Sequence, residues 1–222
     1  MDKKAKAFTI DSELLDKALL IGTISAIFGA RFSYIISYPS AFKGDISSIF
    51  SLNTALLDPA GGFVIGFISV FLLVSRQKIE FWNFLDSLTP FLGVFIPAYF
   101  LSRFASGSGF GLATNLPWGI YLWGTTRHPV QLYLTFLSLI PLAIILLYAP
   151  AKKLPSGSTF LIFTIFTSSY ILFIAAFQVP NSLIAGFRFE QIASWIIILI
   201  SLILLNSRMR TPALKDHYET QG

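Results

Sequence analysis

The sequence has no cysteine and very little charge. Without cysteine, the protein can form neither a disulfide bond nor a metal site built on thiolates. Only 12% of its 222 residues are Asp, Glu, Lys or Arg, whereas about 25% is usual in a soluble domain. The chain is instead 55% hydrophobic and 16% aromatic. This composition excludes an ordinary soluble fold and predicts an all-α integral membrane protein.

Six apolar stretches are long enough, or nearly long enough, to cross a membrane as helices, which takes about 20 residues. They are roughly Leu14–Tyr38, Leu56–Val74, Phe84–Leu101, Val130–Tyr148, Thr159–Phe177 and Gln191–Asn206. The second and third are short for a full span. The spans leave no room for a soluble module, so we expect one polytopic membrane domain over residues 14–208, with polar tails at 1–13 and 209–222.

The basic residues are distributed unevenly between the two ends of these spans. If the spans alternate in direction, eleven Lys and Arg residues fall on one side and four on the other. The side richer in basic residues is normally cytoplasmic, so both termini are predicted there and the loop 102–128 on the outer face. Because the basic residues lie at helix ends, the net charge of +5 does not indicate nucleic-acid binding.

Arg31 lies within the first apolar stretch, where a buried charge is costly and usually marks function. Tyr34 and Tyr38 follow three and seven residues later, on the same helix face. Arg31 either contributes to a polar site or extends its side chain to the lipid headgroups. The sequence leaves both interpretations open.

A glycine-rich segment with an arginine at each end separates the third and fourth stretches. A guanidinium binds a phosphate through two hydrogen bonds, and glycines let backbone amides approach an anion closely. The segment therefore predicts an anion site formed by Arg103, Arg127, Gly107, Gly109 and Gly111. Two arginines at a membrane interface also contact lipid headgroups nonspecifically, and that alternative stays open.

His128 is the histidine in this region, since His217 lies in the C-terminal tail. An imidazole can take a proton from a nucleophile at neutral pH. Alternatively, because Pro129 suits the first turn of a helix, His128 only caps the fourth span. The sequence holds no zinc, haem, nucleotide or Ser-His-Asp motif at usable spacing, so no metal or cofactor is predicted.

Several motifs, in this order along the chain, resemble the prolipoprotein diacylglyceryl transferase family. They are Gly29-Ala-Arg-Phe-Ser-Tyr-Ile-Ile-Ser-Tyr38, Gly61-Gly62 with Gly66, Asp86 with Pro90, Gly107-Ser-Gly-Phe-Gly111, Thr114-Asn-Leu-Pro-Trp-Gly119, Arg127-His-Pro-Val-Gln-Leu-Tyr133 and Glu190-Gln-Ile-Ala-Ser194. The resemblance extends from about Leu14 to Arg208. Family members usually have seven spans, so the resemblance implies that this chain lacks the first.

The resemblance implies an enzyme of the bacterial plasma membrane that moves the diacylglyceryl group of phosphatidylglycerol onto the thiol of a lipobox cysteine in a preprolipoprotein. Glycerol phosphate is released. Arginines would hold the phosphate, and a histidine or other base would help to form the thiolate, so His128 and Arg103 are expected to be catalytic. Headgroup contacts are expected from Arg31, Tyr34, Arg127, Gln131, Tyr133, Arg188, Gly107, Gly109 and Gly111.

This chain departs from the family at several charged positions. Asp58-Pro-Ala60-Gly-Gly stands where the family has Ser-Phe-His-Gly-Gly, so that histidine is missing. The other replacements are Phe100 for an arginine, Leu134 for a glutamate, and Ile171, Ala175 and Gln178 for an arginine, a glutamate and an arginine. Arg103 and Arg188 are conceivable replacements for lost arginines.

The departures support a second hypothesis, a catalytically inactive lipid-binding membrane protein of the same fold. A small-molecule transporter is a weaker third one, because the sequence shows no inverted halves and no charges at the middle of the membrane.

Overall fold

In the computed structural model the chain is mainly helical, as its apolar stretches predict. The structure describes residues 12–42, 44, 46–51, 53, 56–77, 79–148, 154–180, 183–184 and 186–219. The lysines at positions 3, 4, 6, 43, 78, 152 and 153 lie outside the described residues, and the cytoplasmic placement of both termini stays a prediction. The chain forms two compact units, Met1–Phe84 and Leu85–Gly222.

Six α-helices in the described part of the chain carry the six predicted spans. They are α1 (Ser12–Ser37), α2 (Pro59–Arg76), α3 (Phe81–Ala105), α4 (Val130–Tyr148), α5 (Ser158–Ile174) and α6 (Phe189–Glu219). Five are long and apolar enough to cross a membrane, whereas the apolar helix Ala60–Arg76 is shorter. The all-α membrane fold is therefore confirmed. The third span is longer than predicted, because α3 continues beyond both ends of its apolar centre.

In the first unit, Asp58 connects the start of α2 to α1. Its carboxylate accepts hydrogen bonds from the amides of Ala60 (3.1 Å) and Gly61 (3.2 Å), which are orphan donors of the first turn of α2. The hydroxyl of Ser33 in α1 donates to the same carboxylate at 2.5 Å. Asp58, which stands where the family resemblance implies the serine of Ser-Phe-His-Gly-Gly, is thus the N-cap of α2.

The backbones of α1 and α2 also approach each other closely. At Gly62, a Cβ atom would lie 2.8 Å from the carbonyl oxygen of Ala26 and 2.9 Å from the Cβ of Ala30. Only glycine allows this distance, and small residues are what let two helices pack tightly inside a lipid bilayer. Two short 3₁₀ helices, Pro39–Phe42 and Ile46–Phe50, lie in the connection from α1 to α2.

In the second unit, Asp86 of α3 caps the start of α5. Its side chain is buried, and it accepts hydrogen bonds from the amides of Gly157 (2.6 Å) and Phe160 (2.8 Å). The first amides of a helix have no acceptor within that helix, and a negative charge is favourable at this end. One carboxylate therefore fixes α5 against α3.

The apolar core of the second unit lies between α4 and α5. It is formed by the buried side chains of Val130, Leu134, Tyr170 and Ile174. Large apolar side chains such as Phe136, Phe173 and Trp195 are 63–65% exposed on the outside. Such surfaces are unfavourable in water and are what a helix presents to lipid.

Two short β-hairpins, which the sequence did not predict, occur outside the helices. Strand β1 (Ile120–Leu122) pairs with β2 (Thr125–Arg127), and β3 (Leu183–Ile184) pairs with β4 (Phe187–Arg188). The loop of the first hairpin is Trp123–Gly124, and both residues have positive φ, 55° and 79°. This is the two-residue turn that matches the natural twist of paired strands.

Candidate functional site

The second unit contains a cavity of about 190 Å³ where α3, α4, α5, α6 and the glycine-rich loop come together. Its walls combine aromatic and aliphatic side chains with a few polar groups. They are formed by Tyr99, Phe100, Arg103, Gly109, Phe110, Gln131, Leu134, Ile171, Gln178, Val179 and Glu190. Among these described residues, Arg103 and Glu190 are the charged ones.

Arg103 lies in the last turn of α3, so the helix holds its backbone while the guanidinium reaches the cavity. Its Nη1 donates a hydrogen bond to the Tyr99 hydroxyl at 3.2 Å. Gly109 packs directly over the guanidinium, because a Cβ atom there would lie 2.9 Å from both Cζ and Nε of Arg103. The predicted anion-binding arginine and one predicted glycine are therefore in contact.

Gly107 ends helix α3. Its φ is +66°, its amide donates to the Phe104 carbonyl, and the next amide, of Ser108, donates to the Arg103 carbonyl, both at 3.0 Å. This is a Schellman motif, which requires a left-handed residue at the position of Gly107. The amide of Gly111 also bonds protein, since it donates to the His128 carbonyl at 3.1 Å. Of the three predicted glycines, Gly109 is the one that lines the cavity.

Gln131, in the first turn of α4, joins the loop to that helix. Its side chain is 4% exposed, and its Nε2 donates to the Ser108 carbonyl at 2.8 Å. It also lines the cavity. Gln131 therefore fixes the loop that covers Arg103 and also forms part of the cavity wall.

Arg127 packs against the loop through its guanidinium. The Cζ atom lies 4.7 Å from the centre of the Phe110 ring, a cation–π contact. Its Nε donates to the Leu122 carbonyl at 3.3 Å and its Nη1 to the Gly111 carbonyl at 3.4 Å. Arg127 thus holds the ring of a cavity residue in place, while its own donors bond backbone.

His128 lies in an aromatic cluster. Its Nδ1 is 3.4 Å from the Tyr133 hydroxyl, which also accepts a hydrogen bond from Trp118 Nε1 at 2.8 Å. The ring of Phe177 packs against the imidazole with centroids 5.2 Å apart. Neither His128 nor Tyr133 is among the described residues that line the cavity. The structure therefore brings predicted residues together in two groups. Arg103 lies with Gly109 and Gln131, and His128 lies with Tyr133 and with Gly111, which also contacts Arg127.

Arg188 binds the end of helix α5. Its Nη1 donates to the carbonyl of Ala175 at 2.6 Å and to the carbonyl of Gln178. The Leu112 amide of the loop bonds the adjacent Phe177 carbonyl at 2.8 Å. Arg188 thereby fixes the backbone of Gln178, a residue that lines the cavity.

In the first unit, Arg31 bonds the connection that follows its own helix. Its guanidinium donates to the carbonyls of Ile49 (2.9 Å), Leu56 (3.0 Å) and Ser48. Tyr34 packs its ring against Tyr38 with centroids 4.8 Å apart. The charge of Arg31 is thus stabilised by three backbone carbonyl dipoles. The same hydrogen bonds hold the connection between α1 and α2 in place.

Sequence reasoning missed Glu190 as a site residue. The motif that begins at Glu190 contributes to the family resemblance, but the resemblance implies no role for this carboxylate. The signal was present, because Glu190 is an acidic residue immediately before an apolar span. Within the described ranges, no group of three His, Asp or Glu side chains is positioned to hold a metal ion.

Four of the positions at which the resemblance implies a charged residue that this chain lacks lie at the cavity. Phe100, Leu134, Ile171 and Gln178 all contribute to its walls. These four replaced residues are far apart in the sequence but line the same cavity.

Comparison with known proteins identifies the family of this chain. The model of the family described as prolipoprotein diacylglyceryl transferase matches residues 1–207. Three relatives are named phosphatidylglycerol–prolipoprotein diacylglyceryl transferase. The protein of Clostridium novyi is 27% identical, and the match covers 91% of this chain and 82% of the relative.

The protein of Campylobacter jejuni (strain RM1221) is 34% identical over 69% of this chain and 60% of its own length. That of Wolinella succinogenes is 31% identical over 64% and 56%. The matches thus span between 56% and 82% of the lengths of these relatives. Since the family match covers nearly the whole chain, the chain belongs to the prolipoprotein diacylglyceryl transferase family.

Proposed function

We propose that this multi-pass protein of the bacterial inner membrane transfers the diacylglyceryl group of phosphatidylglycerol to the cysteine thiol of a prolipoprotein. The names of its relatives state both substrates. The observation that carries the proposal is the cavity, where Arg103 lies beside polar side chains and apolar walls. A phospholipid headgroup joined to a glycerol backbone has the same combination of properties.

In the proposed reaction, the guanidinium of Arg103 binds the phosphate of the donor lipid. Its planar donors match two phosphate oxygens. As the bond between the glycerol carbon and the phosphate oxygen breaks, negative charge grows on the leaving group. A fixed cation stabilises this transition state more than the ground state. Loss of one such donor typically lowers kcat by about 10² to 10³.

The apolar walls support the same chemistry. Phe100, Phe110, Leu134 and Ile171 surround the guanidinium with groups of low polarity. The attraction between two charges is stronger in such surroundings than in water. Three of these wall residues, Phe100, Leu134 and Ile171, stand where the resemblance implies charged residues, so Arg103 is the cation that this part of the site depends on.

The other predicted residues divide by what they contact. Gln131 and Gly109 line the cavity and are proposed to contact the headgroup. Arg127 and Arg188 bond backbone carbonyls, so we propose that they position the loop and the Gln178 segment. Headgroup contacts by Arg31, Tyr34, Tyr133, Gly107 and Gly111 stay predictions.

The experiment is a transfer assay with the purified protein in phosphatidylglycerol vesicles and a synthetic peptide that carries a lipobox cysteine. The expected product is a peptide with a diacylglyceryl thioether, detected by its mass. Arg103→Ala should lower the rate by about 10² to 10³. Arg103→Lys should retain part of it, since the charge is kept but the planar donor pair is lost.

Arg76→Ala is the matched control, because Arg76 is an exposed arginine in the last turn of α2. It should react like the wild type. A folded wild-type protein that forms no product would refute the proposed function. If that protein still retained phospholipid through purification, the result would support the inactive lipid-binding alternative.

A further inference from the structure

We propose that Glu190 is the base that removes the proton from the acceptor thiol. The inference rests on the proposed function and adds the residue that activates its nucleophile. Glu190 lies in the first turn of α6 and contributes to the walls of the cavity that contains Arg103. It is the carboxylate among the described lining residues.

The size of the cavity limits which groups can react there. A volume of about 190 Å³ is more than ten times the roughly 10–15 Å³ that one water needs on the same measure, so a phosphate and one small nucleophile fit there together. A phosphate held by Arg103 and a thiol admitted to the same space are then close to each other and to Glu190. The cavity therefore places a cation for the leaving group and a proton acceptor for the nucleophile around one reacting centre.

Two other candidate bases of the second unit, His128 and Asp86, do not belong to the described lining of the cavity. The imidazole of His128 packs against Phe177 and lies near the Tyr133 hydroxyl, and it does not belong to the described lining. Asp86 accepts hydrogen bonds from two amides at the start of α5. The Tyr99 hydroxyl, which does line the cavity, accepts a hydrogen bond from Arg103.

The proposed step balances without any further reactant. The S–H bond breaks as its proton passes to a carboxylate oxygen of Glu190, and the sulfur forms a bond to the glycerol carbon that carries the phosphate. The C–O bond to the phosphate breaks, and its electron pair leaves with glycerol phosphate, which Arg103 holds. Release of the proton to water restores the carboxylate.

The polar side chains that line the cavity together with Glu190 are those of Arg103 and Tyr99 from α3, Gln131 from α4 and Gln178 from the segment after α5. Arg188 lies two residues earlier in the chain, with its guanidinium on the carbonyls of the Gln178 segment. Among the described lining residues, the cation that shares the cavity with Glu190 is therefore Arg103, which is proposed to bind the substrate phosphate.

The test compares Glu190→Gln and Glu190→Asp with the control Arg76→Ala in the vesicle assay. A positioned general base contributes about 10² to 10⁴ in rate. Glu190→Gln should therefore lose at least about 100-fold in kcat, with little change in KM for phosphatidylglycerol. Glu190→Asp should keep measurable activity, and Arg76→Ala, at the exposed arginine in the last turn of α2, should stay within about threefold of the wild type.

A second acceptor separates a base from a structural residue. In a peptide with selenocysteine in place of cysteine, the selenol is already ionised at neutral pH and needs no base. Glu190→Gln should therefore react with the selenol peptide at nearly the wild-type rate.

Equal losses with both peptides, or an active Glu190→Gln with the cysteine peptide, would overturn the assignment while the transferase function stands. A wild-type protein without product would refute both.

Discussion

Two glycines of the same loop allow a matched test of how Arg103 is positioned. Gly107 and Gly109 both have a left-handed backbone, with φ of +66° and +71°. Replacing either by alanine therefore carries a similar backbone cost, about 1 to 2 kcal/mol. They differ in what a new methyl group meets. At Gly107 nothing lies within 4 Å, whereas at Gly109 the methyl group meets the guanidinium of Arg103.

The expected displacement follows from the distances. The new Cβ would lie 2.9 Å from Cζ and Nε of Arg103, and ordinary contact begins at 3.4 Å. Cζ and Nε must therefore retreat from 2.9 to at least 3.4 Å, and Nη2, the atom that would lie nearest to the new Cβ, must move further. A misplacement of about 1 Å can cost 100-fold in rate. We expect Gly109→Ala to lower kcat/KM by about 10- to 100-fold.

Gly107→Ala should lower the unfolding temperature by about as much as Gly109→Ala does. Unlike Gly109→Ala, it should keep kcat/KM within about threefold of the wild-type value. The measurements are initial rates in the vesicle assay and unfolding temperatures in detergent for both variants. Equal activity of the two variants would refute the reasoning, because it would show that the contact between Gly109 and Arg103 does not fix the guanidinium.

Two further predictions concern stability. Asp86→Ala leaves the amides of Gly157 and Phe160 without their acceptor and should lower the free energy of unfolding in detergent by about 3 kcal/mol. Asp86→Asn, which keeps one carbonyl oxygen, should lose about half of that, and equal losses would contradict the cap. The hydrogen bond from Ser33, the largest cause, and those from the amides lower the pKa of Asp58 below its ordinary 3.8, against an opposing effect of burial. A lowered folded pKa means that the stabilisation is present above pH 3.8 and is lost as the pH falls through the folded pKa. The wild type should therefore unfold at a higher temperature than Ser33→Ala at pH 6, and the gap should close in acid. A gap that is the same at pH 3 would count against this ionic hydrogen bond.

The helices could be predicted from the sequence because each apolar run is a local property of the chain. The loop around Arg103 was also predictable, since glycines and arginines between two spans mark irregular backbone that needs polar partners. Both features depend on residues that are neighbours in sequence. The same local reasoning identified Gly109, and the family resemblance identified Gln131; both line the cavity.

The rest of the site depends on contacts between distant segments. Glu190 reaches the cavity because α6 packs beside α5, and no local pattern gives that placement. Arg127 and Arg188 are cationic side chains near an interface, but their carbonyl acceptors exist only once the loop has folded. Gly107 and Gly109 look equivalent in the sequence, and only the structure distinguishes the helix terminator from the residue that covers Arg103.

The close approach of α1 and α2 at Gly62 has a consequence for biosynthesis. The two helices are consecutive, and their contacts, together with the bond between Ser33 and Asp58, lie entirely within the first 84 residues. Chains fold from the N-terminus as they emerge from the ribosome, so this helical hairpin can assemble inside the bilayer during translation. The polypeptide that bears the cavity would then be synthesised after the first unit has already folded.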